Sequence, residues 1–204
     1  MMSLLKKILA ELADIRHVPY WIFLILFAIS AAISVAALRQ NNLTMIQLRN
    51  VVYEADENNG NVNQALNELR TYVYGHMNTD LSSGGNAIKP PIQLKYTYER
   101  VQAAEQQKVN SVNSQIYTDA QNYCESQNQT GFSGRTRVPC IEDYVTRRGV
   151  TLKAVPSSLY QFDFASPAWS PDLAGWSLGI SALLFLAFLI SLCFNRLLRA
   201  NVGQ

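Results

Sequence analysis

The chain has 204 residues, 49% of them hydrophobic, and a formal net charge of +2. Its lysines and arginines are spread thinly, which excludes the dense basic stripe of a nucleic-acid binder. The apolar residues concentrate in two runs free of Asp, Glu, Lys and Arg, Pro19 to Leu38 and Leu173 to Phe194, so the pattern is not that of an ordinary soluble domain.

Residues 1–18 read as an amphipathic helix. Ser3 is placed to cap it, Leu5, Ile8, Leu9, Leu12 and Ile15 lie to one side, and Lys6, Lys7, Glu11 and Asp14 lie towards the other. Such a helix lies along the inner leaflet or offers a docking surface to a cytoplasmic partner.

Residues 19–38 form the first predicted span. About 20 residues at helical rise cross roughly 30 Å of hydrocarbon. Ser34-Val35-Ala36 has the small residues of a signal-peptide cleavage site, but the run exceeds the core of a secretory signal, so a retained anchor is expected. Lys6, Lys7 and Arg16 precede this span, and Arg196 and Arg199 follow the second. Positive flanks stay cytoplasmic, which places both termini inside and residues 39–171 outside the plasma membrane. Tyr20 and Trp21 then mark the inner interface, and Trp169 and Trp176 the outer one.

The extracytoplasmic segment 39–171 reads as a mainly α helical bundle. No Gly or Pro falls between Tyr20 and Asn59, and Leu38, Met45, Leu48, Val52 and Ala55 recur at helical steps. The first span should therefore continue outward as one helix to about Glu57, about 55 Å in all. Asn58-Asn59-Gly60-Asn61 is a stop and turn. A second helix carries Val62, Leu66, Leu69 and Val73, with His76 or Met77 continuing the stripe to about Asn78. Thr79 to Pro91, with Ser82-Ser83-Gly84-Gly85 and Pro90-Pro91, reads as a mobile loop.

A long third helix after Pro91 places Leu94, Tyr98, Val101, Val109, Val112, Ile116, Ala120 and Tyr123 near one face. Its Gln- and Asn-rich middle, Gln102 to Gln115, reads as a solvated face, with a polar seam for another subunit as the alternative. Ile141 to Arg148 makes a short helix stopped at Gly149. Val150 to Pro171 is extended, and the alternation within Leu159–Phe164 turns Tyr160, Phe162 and Phe164 to one side. A lone strand needs a partner. That aromatic side either packs on the bundle or forms an interaction surface for strand addition by another protein. Residues 172–194 form the second span, and 195–204 a short cytoplasmic tail.

Cys124 and Cys140 lie in the external segment, where an oxidising compartment lets them pair. A disulfide closing that loop contributes about 3 kcal/mol in the chain-entropy model. Cys193 lies in the second span as an inert apolar side chain. Within the spans, Gly175 and Gly179, and Ala28, Ala32 and Ala36, repeat every fourth position. Small residues at that spacing let helix backbones approach, so these are the predicted span-packing residues, against each other or against another subunit.

No catalytic set is legible. His17 and His76 fall on opposite sides of the membrane, and no phosphate loop, nucleophile elbow or zinc motif is present. Asp56-Glu57-Asn58-Asn59-Gly60 fails as a calcium loop because its glycine comes too early and its acidic twelfth position is Asn67. Tyr72, Tyr74, His76 and Asp80 are candidates for a small polar pocket. Asn42-Leu43-Thr44 and Asn128-Gln129-Thr130 match the glycosylation sequon. No metal and no cofactor is expected.

The layout of span, external helices and span resembles the two-span input modules of bacterial chemoreceptors and sensor kinases. Asn195 to Gln204 are too few for a kinase or methyl-accepting output, so a signal would pass to a separate protein. The function expected is a non-enzymatic scaffold or assembly subunit. Its partners are the lipid bilayer and either another protein or further copies of itself, and a small-molecule ligand has no support in the sequence. The alternative is a ligand-sensing or solute-binding accessory.

Overall fold

A computed structural model describes residues 19–85, 88–127 and 134–202. The predicted N-terminal helix, with His17, and the Asn128 sequon lie outside the described residues. The protein is mainly helical. In chain order come α1 (Tyr20–Glu57), α2 (Val62–Gly75), β1 (Ile92–Gln93), α3 (Lys95–Gln127), α4 (Gly134–Arg148), a 3-10 turn (Ser157–Leu159), β2 (Gln161–Phe162) and α5 (Leu173–Val202). Two helical segments, Tyr20–Glu57 and Leu173–Arg196, are long and apolar enough to cross a membrane, with mean hydropathies of 2.5 and 2.4.

The chain divides into two compact units. The first comprises the described residues within Met1–Val52, Asn63–Ile88 and Asp163–Gln204. Here α1 and α5 run antiparallel, as the pairings Asn41 with Asp172, Ser30 with Ser181, and Phe27 with Phe185 require. The buried positions of α1 in this unit are Ser34, Ala37, Asn41, Met45, Arg49 and Val52. They recur every three or four residues, which keeps one stripe facing inward on a helix of 3.6 residues per turn. On α2 the inward stripe is Ala65, Leu66, Leu69 and Val73; Leu66, Leu69 and Val73 follow the sequence periodicity, while Val62 is only half-buried and Ala65 joins the stripe. Ala37, Met77 and Ala174 form a small apolar cluster flanked by Leu38.

The stretch after α2, read from sequence as a mobile loop, is tied down at its start. Thr79 Oγ1 donates to His76 O (2.9 Å) and Val73 O (3.3 Å), closing carbonyls that the helix end leaves open. Asn78 takes a left-handed φ of 60° and donates its amide to Leu38 O at 3.0 Å. Arg49, only 6% exposed, donates Nη1 to Leu81 O (2.7 Å) and Ser83 O (2.8 Å), and Leu81 is buried. Turn composition said loop correctly, but it could not show that a cation one helix away would clamp it.

The second unit comprises Tyr53–Val62 and the described residues within Lys89–Phe162. The end of α1 closes as the sequence predicts. Asn59 is left-handed (φ 53°) and Gly60 N donates back to Ala55 O at 2.8 Å, a Schellman arrangement. β1 and β2 pair antiparallel, Ile92 opposite Phe162 and Gln93 opposite Gln161, so the extended segment has its partner within the chain. α4 begins at Gly134, earlier than Ile141 as expected, and carries Pro139 within it. A proline there forgoes one helical hydrogen bond, so the helix runs through a residue that usually interrupts one.

The inward face of α3 also differs from the stripe read in the sequence. Val109, Ala120 and Cys124 are buried, while Val112 and Tyr123 are exposed. Asn113 occupies the packing register instead. Its Nδ2 donates to Val150 O (2.9 Å) and its Oδ1 accepts from Val150 N (2.8 Å), as a strand neighbour would.

Candidate functional site

In the first unit, polar side chains converge where α1, the end of α2 and the start of α5 meet. Asp172 precedes α5 and caps it. Oδ1 accepts from Gly175 N (2.9 Å) and from Ser170 Oγ (2.9 Å), and Oδ2 accepts from Asn41 Nδ2 at 2.7 Å. Ser170 Oγ accepts in turn from Met77 N at 3.0 Å, and Asn41 also reaches Met77 O at 3.3 Å. Burial acts to raise the Asp172 carboxyl. The Gly175 N–H, the Asn41 amide, the Ser170 hydroxyl and the charge of His76 together outweigh it and hold the group below its usual value. The arrangement is a latch between three helices, and three of its hydrogen bonds end on the Asp172 carboxylate.

Below this latch the two apolar helices meet through serines. Ser181 Oγ donates to Ser30 Oγ at 2.8 Å, Ser30 Oγ lies 3.2 Å from Ser177 O, and Ser34 Oγ approaches Ser181 Oγ at 3.5 Å. Between the two spans of this chain, the packing face is therefore not the alanine and glycine one. Ala28, Ala32 and Ala36 are exposed, and Gly179 has nothing within 4 Å of where a Cβ would stand. Gly175 is buried, but against Ser170 and Trp169 of the segment before α5 rather than against α1. Small size allows close approach wherever a partner exists, whereas a hydroxyl in apolar surroundings gains by finding one. Ser30, Ser34, Ser177 and Ser181, each pair four apart, were the legible signal.

In the second unit, Cys124 and Cys140 are joined as a disulfide with Cα atoms 6.0 Å apart. Around it, Arg137 pairs with Glu125 at 2.8 Å and the Tyr123 and Tyr144 rings lie 5.5 Å apart. Beside this lock α3 and α4 leave an open groove of about 350 Å³, lined by Tyr117, Val138, Ile141, Glu142, Val145 and Thr146. Tyr117 is 49% and Val138 63% exposed.

The aromatic residues Tyr160, Phe162 and Phe164 are each half-buried. Tyr160 packs on Tyr98 at 4.8 Å between centroids, Phe162 sits in the β pairing, and in the first unit Phe164 meets Tyr74 edge-on at 6.1 Å.

The candidates for chemistry are committed to local structure. Both carboxylate oxygens of Asp56 cap α3. Oδ2 accepts from Tyr96 N (3.0 Å), Oδ1 accepts from Thr97 N (2.8 Å) and Thr97 Oγ1 (2.6 Å), and Arg100 Nη2 lies 3.2 Å away. Among the described residues no group of His, Cys, Asp and Glu is placed to hold a metal ion. His76 stacks on Tyr72 with ring centroids 4.0 Å apart, and its Nδ1 donates to Tyr72 O, since a carbonyl only accepts. Tyr74 turns to Phe164, and Asp80 accepts from Ser82 N at 2.9 Å, so these four residues do not share one pocket. Asn42 is half-buried. No family model, no curated protein and no solved structure matches this chain.

Proposed function

We propose that this is a two-pass integral membrane protein acting as a non-catalytic scaffold or assembly subunit. Its 39–171 segment lies on the extracytoplasmic side and offers a helical surface to another protein. The observation that carries the membrane reading is the exposure of the apolar helices. Leu183 and Val35 are 68% and 67% exposed, with Ile25, Ile29, Ile180 and Leu186 close behind. A soluble protein rarely leaves so continuous an apolar surface in water, whereas lipid tails accept it. The Cys124–Cys140 disulfide supports an oxidising side for the external segment.

The protein-binding reading rests on the α3–α4 groove, where exposed Tyr117 and Val138 flank a concave apolar strip above a covalent lock. The test is purification from native membranes in mild detergent, followed by mass spectrometry of the wild type and of Val138→Asp. A protein that accompanies the wild type and is lost from the variant, with the disulfide and thermal midpoint unchanged, supports the reading. Recovery of the wild type alone as a monomer overturns it.

A further inference from the structure

Trp169 and Trp176 are 51% and 61% exposed and meet edge to face, their ring centroids 5.9 Å apart. Leu173, one turn before Trp176 on α5, is 67% exposed. Gly175 makes this cluster. A Cβ there would stand 2.9 Å from Trp169 Nε1 and would collide with the Ser170 carbonyl, so the incoming segment lies on bare helix backbone. The other side of the same turn holds buried Ala174 and Ser177 and the Asp172 latch. One turn of helix thus presents a polar knot inward and an aromatic plate outward.

We propose that Trp169, Leu173 and Trp176 seat in the glycerol-ester layer of the bilayer and fix the depth at which α5 enters it; this rests on the two-span reading above. Two features of the molecule choose lipid as the occupant. The plate is continuous with the exposed apolar side of a helix long enough to cross a membrane, through Leu178, Ile180 and Leu183. The second aromatic pair, Tyr20 and Trp21, lies at the far end of the antiparallel partner. Asn41, bonded to Asp172, follows Trp21 by roughly 30 Å along α1, which is the thickness of the hydrocarbon core. Indole rings favour both interfaces because one edge is apolar and the other donates a hydrogen bond.

The experiment is tryptophan quenching of the full chain in phosphatidylcholine vesicles with brominated acyl chains, the bromines either near the glycerol or near the chain ends. Trp21→Phe leaves the plate as the only emitter, and Trp169→Phe/Trp176→Phe leaves only Trp21. The plate should be quenched more strongly by shallow than by deep bromines, and adding Gly175→Ala to Trp21→Phe should reduce that quenching. Plate emission indifferent to both lipids, or quenched more by deep bromines, overturns the anchor; if Trp21 is still quenched, the two-span reading stands without it. Emission indifferent in both variants overturns the two together.

Discussion

Asn41 donates its side-chain amide to Asp172 Oδ2 at 2.7 Å, joining residues 131 positions apart at the junction of α1 and α5. Burial opposes the charged form of this carboxyl, and the Gly175 N–H, the Asn41 amide and the Ser170 hydroxyl favour it. Its hydrogen bonds and His76 hold it below the ordinary aspartate value of 3.8, so the folded state favours the charged form more than the unfolded chain does. A depressed carboxyl contributes stability that is fully present above the unfolded value and is lost as pH falls through the folded one. Thermal unfolding in detergent should therefore give a midpoint that falls with acidification below about pH 4, and Asp172→Asn should flatten that dependence. Asp172→Ala, which removes the cap of α5 as well, should cost about 1 kcal/mol at neutral pH.

The serine seam predicts an asymmetry between two faces of the same helices. Ser181→Ala removes the hydroxyl that meets Ser30 Oγ across the two helices and should weaken helix pairing by about 0.6 kcal/mol, the usual size of such a bond in lipid. Ser34→Leu, at a buried position, should cost more through overpacking, while Ala32→Leu on the exposed side should leave pairing unchanged. Unfolding titrations in bicelles with a denaturing detergent measure the three.

At the start of α3 the cap comes from another helix. Asp56, with 3% of its side chain exposed, serves two backbone N–H groups, and Arg100 beside it is 38% exposed. Asp56→Ala should lower stability by about 1–2 kcal/mol, chiefly from the lost cap, since a partly solvated Arg100 is not left stranded. Asp56→Asn should recover only part of this, because one of the two accepting oxygens becomes an amide NH2 that cannot accept from a backbone N–H. Circular dichroism melts check both.

Cys124→Ser/Cys140→Ser should reduce stability by about 3 kcal/mol on the chain-entropy account. Hydrogen exchange should rise most in α4, which the bond ties to α3 across a sequence separation of 16. Equal exchange in α4 with and without the bond would show that side-chain packing alone holds it.

Arg49→Met should release the turn after α2. Amides of residues 81–85 should exchange faster than those of α2, because the guanidinium holds Leu81 O and Ser83 O. Arg49→Lys should rescue only part of this, since one ammonium lacks the planar fork that reaches both carbonyls.

The helices were readable because each carries its own periodicity: Leu66, Leu69 and Val73 mark α2 without reference to anything else. The stop at Asn58 to Gly60 was equally local. What escaped depends on residues far apart in the chain. Asp56 caps Tyr96 and Thr97 across 40 and 41 positions, and Arg49 clamps carbonyls beyond 30. Ile92 finds its strand partner at Phe162. Asn113 looked like a solvated polar residue, and its role depends on where Val150 arrives. In the spans, side-chain size drew attention to Ala28, Ala32 and Ala36, when hydroxyl pairing decided the inward face.

The two-point grip of Asn113 on Val150 has a practical use. Val150 is pinned at one end of the connecting segment and the 3-10 turn at Ser157–Leu159 closes the other, while residues 151–154 between them are exposed and form neither helix nor strand. A short epitope inserted between Lys153 and Ala154 leaves both fastenings intact. Antibody access to it on intact cells, compared with permeabilised ones, then reports directly which face of the membrane carries the domain.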